Sequence, residues 1–324
     1  DYYASRGLGD VYKRQGDSNA EFFALVLDCK QKQTVNQTPY FGLTLYDGTD
    51  SADARIWNIG IVSDLDNAAI ENGKVYKFTS KVNEYNGKHQ YIISKVEMPK
   101  EGEIDINTFY RYAPLTEQEL KQGIKEYIFK IDNAILQNLV KAVISSAADK
   151  FFIYPAAMTM HHNYLSGLAY HTYSMLKIAD VYLKNYPTLN KDLLYAGILI
   201  HDVGKTEELS DAKSPVYSLK GNLLGHLLIG LEMLEKEALN LGVCDTEEYL
   251  LLQHMIASHH GELEFGSPKE PAIQEAVALY LIDLSDSKMA GIGAEVSKTA
   301  KGTQTNPIPT LSKKTLYVPK SVSY

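Results

Sequence analysis

The sequence predicts two domains, a small all-β barrel followed by an all-α helical bundle. Its 324 residues exceed one ordinary domain and leave room for connecting segments. Residues 21–98 consist of short runs in which apolar and polar residues alternate, as in half-buried strands. From about residue 116 the apolar residues recur every three or four positions, the period of helices that pack on one face. The change of period indicates a domain boundary near residue 100.

Both ends of the chain differ from the rest. Residues 1–16 have no helical or strand period and look like translated sequencing-adapter sequence, and the last residues, 321–324, look similar. We therefore expect both ends to be non-native and exclude them from the fold. The predicted organisation is a leader at 1–16, the barrel at 17–100, a linker with bridging helices at 101–150, the helical domain at 151–295 and a tail at 296–324.

Five strands are predicted in the first domain: FFALVLDCK, YFGLTLYD, DARIWNIG, KVYKFTSKV and QYIISKVE. Turn signals separate them, notably Asp47-Gly48 and the hairpin tip at 85–88. Between the third and fourth strands, Val62 to Asn72 is long enough for one helix. This order of strands and helix is typical of a small Greek-key barrel such as the OB-fold.

An OB-fold would present a binding face on its second and third strands. Aromatic and basic side chains suit that face, because bases stack on rings and cations follow phosphates. The alternative is that Trp57 and Tyr46 belong to the barrel core and Lys88 is a solvated turn residue. The candidate nucleic-acid contacts are Tyr46, Arg55, Trp57, Tyr85 and Lys88.

Two helices are predicted between the barrel and the second domain. Thr116 and Glu119 form a capping box at the start of a helix that runs to about Phe129. A second helix follows from about Asp132 to Ala148. We expect both to have a structural role as a bridge.

Seven ionisable residues of the helical region fall on apolar faces at helical spacing, which predicts that all seven point inward. Several inward histidines with two carboxylates are costly to bury unless a positive group pairs them. A metal cluster removes that cost, and mixed imidazole and carboxylate ligands favour manganese, iron, cobalt or zinc over magnesium or calcium. The alternative is a metal-free helical core. The seven are His171, His201, Asp202, His226, His259, His260 and Asp283.

The order of these residues, with the run His201-Asp202-Val203-Gly204-Lys205, resembles the motif of the HD-domain phosphohydrolases. The dipeptide alone would be a weak signal, but the spaced residues agree with it. The resemblance implies an all-α HD domain that binds two divalent ions. One ion would be held by His171, His201, Asp202 and Asp283, and the other by His226, His259 and His260, with Asp202 bridging the two.

Two further features border the predicted site. The segment Met160-His161-His162-Asn163 precedes the helix of His171, and its likeness to the approach segment of HD phosphohydrolases implies that His161 or His162 contacts a substrate phosphate. Packing within the loop is the alternative for both. Gly204 and Gly261 are predicted to end the helices that carry the two ligand pairs, which would leave the pairs near loops and open to substrate.

The complete arrangement, a barrel, bridging helices and an HD domain, resembles the YhaM family of bacterial 3'-5' exoribonucleases over about residues 21–295. The stretches HHNYLSGLAYHT, LLYAGILIHDVGK, GHLLIG and SHHGELEFGSPKEP carry this resemblance. It implies metal-dependent removal of mononucleotides from the 3' end of RNA. Manganese is the expected ion, with cobalt, iron and zinc as alternatives.

The chemistry of the residues agrees with hydrolysis of a phosphodiester. Asp202, as a bridging ligand, would orient the attacking nucleophile between two ions. Lys205 would contact a non-bridging phosphate oxygen and offset its charge; the alternative is a solvated lysine. Two other functions stay open: a phosphohydrolase of nucleotides or cyclic nucleotides, and a nucleic-acid-binding regulator with an inactive site.

Charge and composition restrict the partners. The formal net charge of -8 argues against a protein that coats duplex DNA through bulk electrostatics, although a local groove remains compatible with it. The sequence has no apolar run of membrane-spanning length and no resemblance to a signal peptide, so we expect a cytoplasmic protein without a membrane partner. Cys29 and Cys244 are expected to be reduced thiols. Single-stranded RNA is the expected partner, and the sequence leaves single-stranded DNA and a homo-oligomer open.

Overall fold

The protein consists of two compact units that divide after Arg111. The structure, a computed structural model, describes residues 20–49, 51–63, 65, 69–85, 88–158 and 162–322, with the backbone alone at 83–85 and 88–89. We call the part up to Arg111 the barrel unit and the part from Tyr112 the helical unit. An all-β barrel followed by an all-α region confirms the fold class predicted from the sequence.

The barrel unit is a closed five-stranded barrel in the strand order β1-β2-β3-β5-β4. Neighbouring strands are antiparallel except for the parallel pair β3 and β5. This is an OB-like arrangement, in which closure leaves no long free edge. The strands are β1 (Ala20–Gln33), β2 (Pro39–Tyr46), β3 (Ser51–Ile56), β4 (Val75–Tyr85) and β5 (Lys88–Glu97).

Alternate residues of the strands fill the barrel, as the period of two predicts. The ring of Phe22 lies against the rings of Phe78 and Tyr91, with centroids 5.8 and 5.7 Å away. On β3, Ala54 and Ile56 are fully buried while Arg55 between them faces outward. Arg55 therefore points away from the barrel core.

The connection between β3 and β4 differs from the predicted helix at 62–72. Its described part has a short 3-10 helix, Ile59–Val62, in which the side chain of Asn58 caps the amide of Gly60. Residues 69–72 have no helix, and residues 64 and 66–68 lie outside the described part. Gly60, close to the start of the turn, favours such a short element over a regular helix.

The helical unit contains nine α-helices within the described residues. The first begins with the predicted capping box: the Thr116 hydroxyl accepts from the Glu119 amide, and the Glu119 carboxylate accepts from the Thr116 amide. No helix of the described ranges is both long and apolar enough to cross a membrane. The helices are α1 (Glu117–Phe129), α2 (Ala134–Ser146), α3 (Ala148–Phe151), α4 (Gly167–Asn185), α5 (Lys191–Ile200), α6 (Lys205–Glu208), α7 (Leu219–Leu241), α8 (Glu247–Ser258) and α9 (Gln274–Val296).

Helices α1 and α2 belong to the core of the helical unit. Leu120 and Ile124 of α1 and Leu139 and Val143 of α2 are buried in the same apolar cluster as α4, α5, α8 and α9. Helix α5 lies at its centre, with every residue from Leu193 to Ile200 buried. Because α5 cannot shift without opening this core, the residues at its carboxyl end have a fixed position.

One of the two predicted glycine helix ends differs from the structure. Gly204 has helical backbone angles and does not terminate a helix through a positive φ; α5 ends earlier, with His201 at its C-cap. The reason for glycine there is close packing, since a Cβ at Gly204 would lie 2.0 Å from the carbonyl oxygen of His226. Gly261 does have a positive φ, of 82°, after α8.

The tail is more regular than the sequence suggests. Helix α9 continues past Gly291 to Val296, and isolated bridges pair Gln304 with Tyr317 and Ile308 with Lys314. Ile308 and Val318 are buried, so the segment packs on the helical unit. The sequence does not predict this structure, because two buried apolar residues in a segment rich in Lys, Thr and Pro are too few to form a recognisable period.

Candidate metal centre

Seven predicted ligands come together in the helical unit, each from the end or inner face of a helix. His171 lies on α4, and His201 and Asp202 directly follow α5. His226 is on α7, His259 and His260 directly follow α8, and Asp283 is on α9. Within this set, His171, His201 and Asp283 form one group whose possible ligand atoms all lie within 4.8 Å of one another, and His226, His259 and His260 form another.

All five imidazoles present Nε2 to the cluster because another group binds Nδ1. His201, His259 and His260 use backbone carbonyl oxygens, whereas His171 and His226 use carboxylates. A hydrogen on Nδ1 leaves the lone pair of Nε2 available to a metal. The Nδ1 partners are Asp286 for His171 at 2.7 Å, Ile198 O for His201 at 2.8 Å, Glu208 for His226 at 3.0 Å, Ile256 O for His259 at 2.8 Å and Phe265 O for His260 at 2.9 Å.

The carboxylate of Asp202 lies between the two groups. Its Oδ2 is 3.3 Å from His201 Nε2 and 3.9 Å from His171 Nε2. Its Oδ1 is 3.5 Å from the Nε2 atoms of both His226 and His259. One oxygen therefore faces each group, which is the arrangement that a bridging carboxylate requires.

Two buried atoms of this cluster indicate that a metal would fit. Nε2 of His201 and Oδ1 of Asp202 are buried and have no hydrogen-bond partner among the described residues. A buried polar atom without a partner costs about 1–3 kcal/mol, so such atoms are rare unless a ligand satisfies them. Imidazole nitrogen and carboxylate oxygen are suitable donors for a divalent transition metal.

The charges of the site are strongly coupled. Burial opposes ionisation of Asp202, but Lys205 and His201 hold its pKa well below the usual range. The Lys205 ammonium is 2.6 Å from Asp202 Oδ2. Burial also works against protonation of His171, yet hydrogen bonds to Asp283 and Asp286 raise its pKa to about 9. A metal ion at Nε2 of His171 would therefore displace a proton from this ring. Burial lowers the pKa of His259 to about 4, which keeps this imidazole neutral and able to bind metal at neutral pH.

The cluster has a buried side and an accessible side. His171, His201, Asp202 and His259 are each at most 3% exposed. The side chains of His226 and Asp283 are 14% and 20% exposed, and His260 is half-buried. A substrate would approach from the side of these three residues, because the others have no contact with solvent.

Asp286 is a residue of the site that sequence reasoning missed. Its Oδ2 accepts from His171 Nδ1 at 2.7 Å and from His162 Nε2 at 2.8 Å, and its Oδ1 accepts from the Ser174 hydroxyl. Its spacing of three residues from Asp283 puts it on the same helix face one turn later, a signal that was available. Glu208, the partner of His226, has no comparable signal in the sequence.

His162 contacts Asp286 instead of facing the accessible side. Its Nδ1 is 2.6 Å from the Tyr164 hydroxyl, and its Nε2 is engaged by Asp286. The ring is buried, and both nitrogens have partners, so neither is available to a substrate phosphate. The expectation that His162 binds phosphate therefore has no support in this geometry. His161 lies outside the described residues.

The predicted binding face of the barrel unit divides into exposed residues and one that is buried. Trp57 is 40% exposed, and its ring lies 4.8 Å from that of Tyr40, which the sequence did not single out. The Arg55 guanidinium lies 5.5 Å from both ring centroids. Tyr46 is instead 5% exposed in an apolar cluster with Leu25, Val75 and Phe109, and its hydroxyl donates to Gly48 O and accepts from Arg111, which favours a structural role over a nucleic-acid contact. The side chains of Tyr85 and Lys88 lie outside the described part.

Comparisons with known proteins relate this geometry to a family. The model of the HD domain matches residues 168–287. The chain is 36% identical to the 3'-5' exoribonuclease YhaM of Geobacillus sp. (strain WCH70), over 96% of this chain and 95% of that protein. It is also 36% identical to the 3'-5' exoribonuclease YhaM of Oceanobacillus iheyensis, over 92% of this chain and 93% of that protein. Among solved structures, the mitochondrial single-stranded DNA-binding protein Rim1 of S. cerevisiae matches 25% of this chain and 94% of its own chain, at 9% identity and a TM-score of 0.21.

Proposed function

The chain belongs to the YhaM family of 3'-5' exoribonucleases, and from that membership we propose that it shortens single-stranded RNA and releases nucleoside 5'-monophosphates. The HD domain makes it a metal-dependent hydrolase of phosphodiester bonds. The two oxygens of Asp202, each facing a different group of imidazoles, carry the proposal. A carboxylate in this position suits a reaction that uses two divalent ions.

The proposed ligands follow from the two groups around Asp202. His171, His201 and Asp283 would hold one ion, and His226, His259 and His260 would hold the other, with Asp202 shared between the two groups. When bound, the ions supply Lewis-acid polarisation of the phosphate and make a water molecule a stronger nucleophile. We propose manganese from the membership of the YhaM family, and the mixed imidazole and carboxylate ligands are also compatible with cobalt, iron and zinc.

The protein's own groups orient and neutralise the substrate. Asp202 directs the nucleophile, since its carboxylate is fixed by Lys205 and lies at the centre of the set. The Lys205 side chain is 13% exposed and carries three N–H donors, so it can keep Asp202 as one partner and bind a non-bridging phosphate oxygen with another. Placing that positive charge beside the phosphate offsets the negative charge that develops in the transition state.

The barrel unit supplies a surface for single-stranded RNA. We assign this role to Tyr40, Arg55 and Trp57, which are neighbours on its outer face. Stacking on a ring does not depend on which base is present, so such a surface tolerates any sequence, as a degradative enzyme requires. Single-stranded DNA has the same bases and phosphates and is included as a substrate to be tested.

The deciding experiment follows 5'-labelled single-stranded RNA with the metal-stripped protein and with added Mn²⁺. We expect a ladder that shortens from the 3' end only when Mn²⁺ is present, with nucleoside 5'-monophosphates as products. Asp202→Asn keeps the shape of the side chain and removes its charge, so it should abolish cleavage while the circular dichroism spectrum stays unchanged.

Other outcomes point to other functions. Turnover of a cyclic nucleotide without cleavage of RNA would indicate a small-molecule phosphohydrolase. RNA binding without turnover of either substrate would indicate a binding protein. Normal cleavage by Asp202→Asn in buffer replete with metal would contradict the bridging role of this carboxylate.

A further inference from the structure

Helix α7 is interrupted one residue before His226. Gly225 has φ 71° and ψ 162°, whereas the residues on either side are helical. This region of backbone angles is essentially restricted to glycine. The helix therefore stops at Leu224 and restarts at His226, so the direction of the His226 side chain depends on the interruption.

A single carboxylate oxygen holds both the backbone and the ring of His226. Oε1 of Glu208 accepts from the His226 amide at 2.9 Å and from its Nδ1 at 3.0 Å. In an uninterrupted helix that amide would donate to the carbonyl oxygen of Asn222. Glu208 replaces the lost acceptor and adds negative charge at the start of the second helical segment, where it is favourable.

Glu208 is itself held firmly. Its backbone carbonyl accepts from the Ser218 amide at 2.9 Å, at the N-terminus of α7. A Cβ at Gly221 would lie 2.2 Å from the same carbonyl oxygen, so the first turn of α7 packs directly on Glu208. The side chain is 11% exposed, and its Oε1 has the amide and the Nδ1 of His226 as partners. The carboxylate is therefore fixed.

His226 differs from the other two histidines of its group in this support. His259 and His260 are oriented by backbone carbonyls of Ile256 and Phe265, which no side-chain substitution removes. The Nε2 atom of His226 lies 3.2 Å from that of His260 and 3.5 Å from Asp202 Oδ1. Rotation of the His226 ring would break this convergence, and the side chain that prevents rotation is Glu208.

We infer that Glu208 and the break at Gly225 are positioning elements for His226, and that they set the affinity of the second divalent ion while leaving the first unaffected. The inference rests on the ligand set of the proposed function. The first group, with His171 oriented by Asp286, shares only Asp202 with the second. Loss of Glu208 thus removes one imidazole from the second group and none from the first.

The test counts Mn²⁺ ions and measures each affinity by calorimetric titration of the metal-stripped full-length protein. Wild type should bind two ions. Glu208→Ala should weaken one of them by about 10- to 100-fold, the usual effect of losing a group that orients a metal ligand, and change the other by less than about twofold. Gly225→Ala should do the same, because the added Cβ disfavours the angles of the break.

Two matched controls separate positioning from general damage. Glu207 is adjacent to Glu208, and its carboxylate forms an ion pair with Lys220 at 2.7 Å that does not involve His226. Glu207→Ala should therefore keep both affinities. Gly242, the C-cap of α7, has a positive φ of 66° with no atom within 4 Å of an added Cβ, so Gly242→Ala also places a Cβ at a positive φ without touching His226. It should also keep both ions.

The outcomes distinguish the inference from its premise. Unchanged binding in Glu208→Ala, or equal weakening of both ions, overturns the inference. If Glu208→Ala fails to melt cooperatively, Glu208→Gln is measured instead, since it retains an acceptor without charge. An intermediate loss of affinity for the second ion alone supports the inference, and unchanged affinity overturns it. The double variant Glu208→Ala with His226→Ala should bind no more weakly than His226→Ala alone. A wild type that binds fewer than two ions contradicts the proposed ligand set instead.

Discussion

Trp57 shows how one exposed side chain can be tested apart from the fold. It is the single tryptophan of the chain, and its ring packs on Tyr40 while remaining 40% exposed. Trp57→Ala should weaken binding of single-stranded RNA by roughly 1–3 kcal/mol, the usual contribution of one base stacked on a ring. Fluorescence anisotropy with labelled RNA measures this change.

A tyrosine at the other end of the β2–β3 pair provides the control. Tyr46→Phe removes a hydroxyl that donates to Gly48 O and accepts from Arg111 within the barrel unit. It should lower the stability of the barrel by about 1 kcal/mol, the net value of a typical hydrogen bond, and leave RNA binding unchanged. An RNA affinity that falls with Tyr46→Phe and not with Trp57→Ala would move the binding surface away from Trp57.

Lys205 illustrates a residue with two compatible roles. Its ammonium forms an ion pair with Asp202 at 2.6 Å. Burial opposes protonation of Lys205, but the charge of Asp202 raises its pKa. The lysine is therefore protonated at neutral pH and partly compensates the carboxylates of the cluster. A phosphate contact remains a prediction, and the ion pair explains why this lysine follows Asp202 by three residues.

At the scale of elements, the close approach of Gly204, the N-cap of α6, to α7 positions His226 relative to Asp202. A Cβ at Gly204 would lie 2.0 Å from His226 O and 2.7 Å from Gly230 N, and backbone atoms cannot move away as a flexible side chain can. Gly204→Ala should destabilise the helical unit by about 1–3 kcal/mol or more and separate His226 from Asp202. The melting temperature and the number of bound Mn²⁺ ions should both fall.

Gly293 in α9 provides a matched substitution. An added Cβ there meets no atom within 4 Å, and the backbone is helical. Gly293→Ala should stabilise the helical unit by roughly 0.5–1 kcal/mol, since alanine loses less backbone entropy than glycine in a helix. A Gly204→Ala protein as stable as wild type would show that α6 and α7 need not approach so closely.

At the scale of the whole molecule, the metal should stabilise one unit and not the other. All candidate ligands lie in the helical unit. An ion that binds only the folded state adds about 2.7 kcal/mol to its stability when its free concentration is 100 times the dissociation constant. Thermal melts with Mn²⁺ and with a chelator should therefore differ in circular dichroism at the helical band. The melting transition followed by Trp57 fluorescence, which reports the barrel unit, should occur at the same temperature with Mn²⁺ and with the chelator.

A common shift of both signals would contradict this expectation, because it would mean that the two units unfold as one. The Asp202→Asn variant is a suitable control for the same experiment. Its helical melt should no longer respond to Mn²⁺, while the fluorescence melt stays as in wild type.

The sequence alone determined the fold class and the candidate ligands of this protein. A period of two predicts strands and a period near 3.6 predicts helices, because side chains of each element face a core at that spacing. His201 with Asp202 and His259 with His260 could be recognised because each pair follows an apolar helix. Their identity as histidine and aspartate then predicts a metal, since such groups are costly to bury without one.

The tertiary structure decided how those residues are supported. Asp286 meets His171 across 115 positions of sequence, and Glu208 meets His226 only because α7 breaks at Gly225. Tyr46 and Trp57 have similar sequence surroundings, yet Tyr46 is buried against Phe109 and Trp57 is exposed. Periodicity gives the face of a residue within its own element, but a contact between elements depends on how they pack, and the packing depends on side chains from the whole unit.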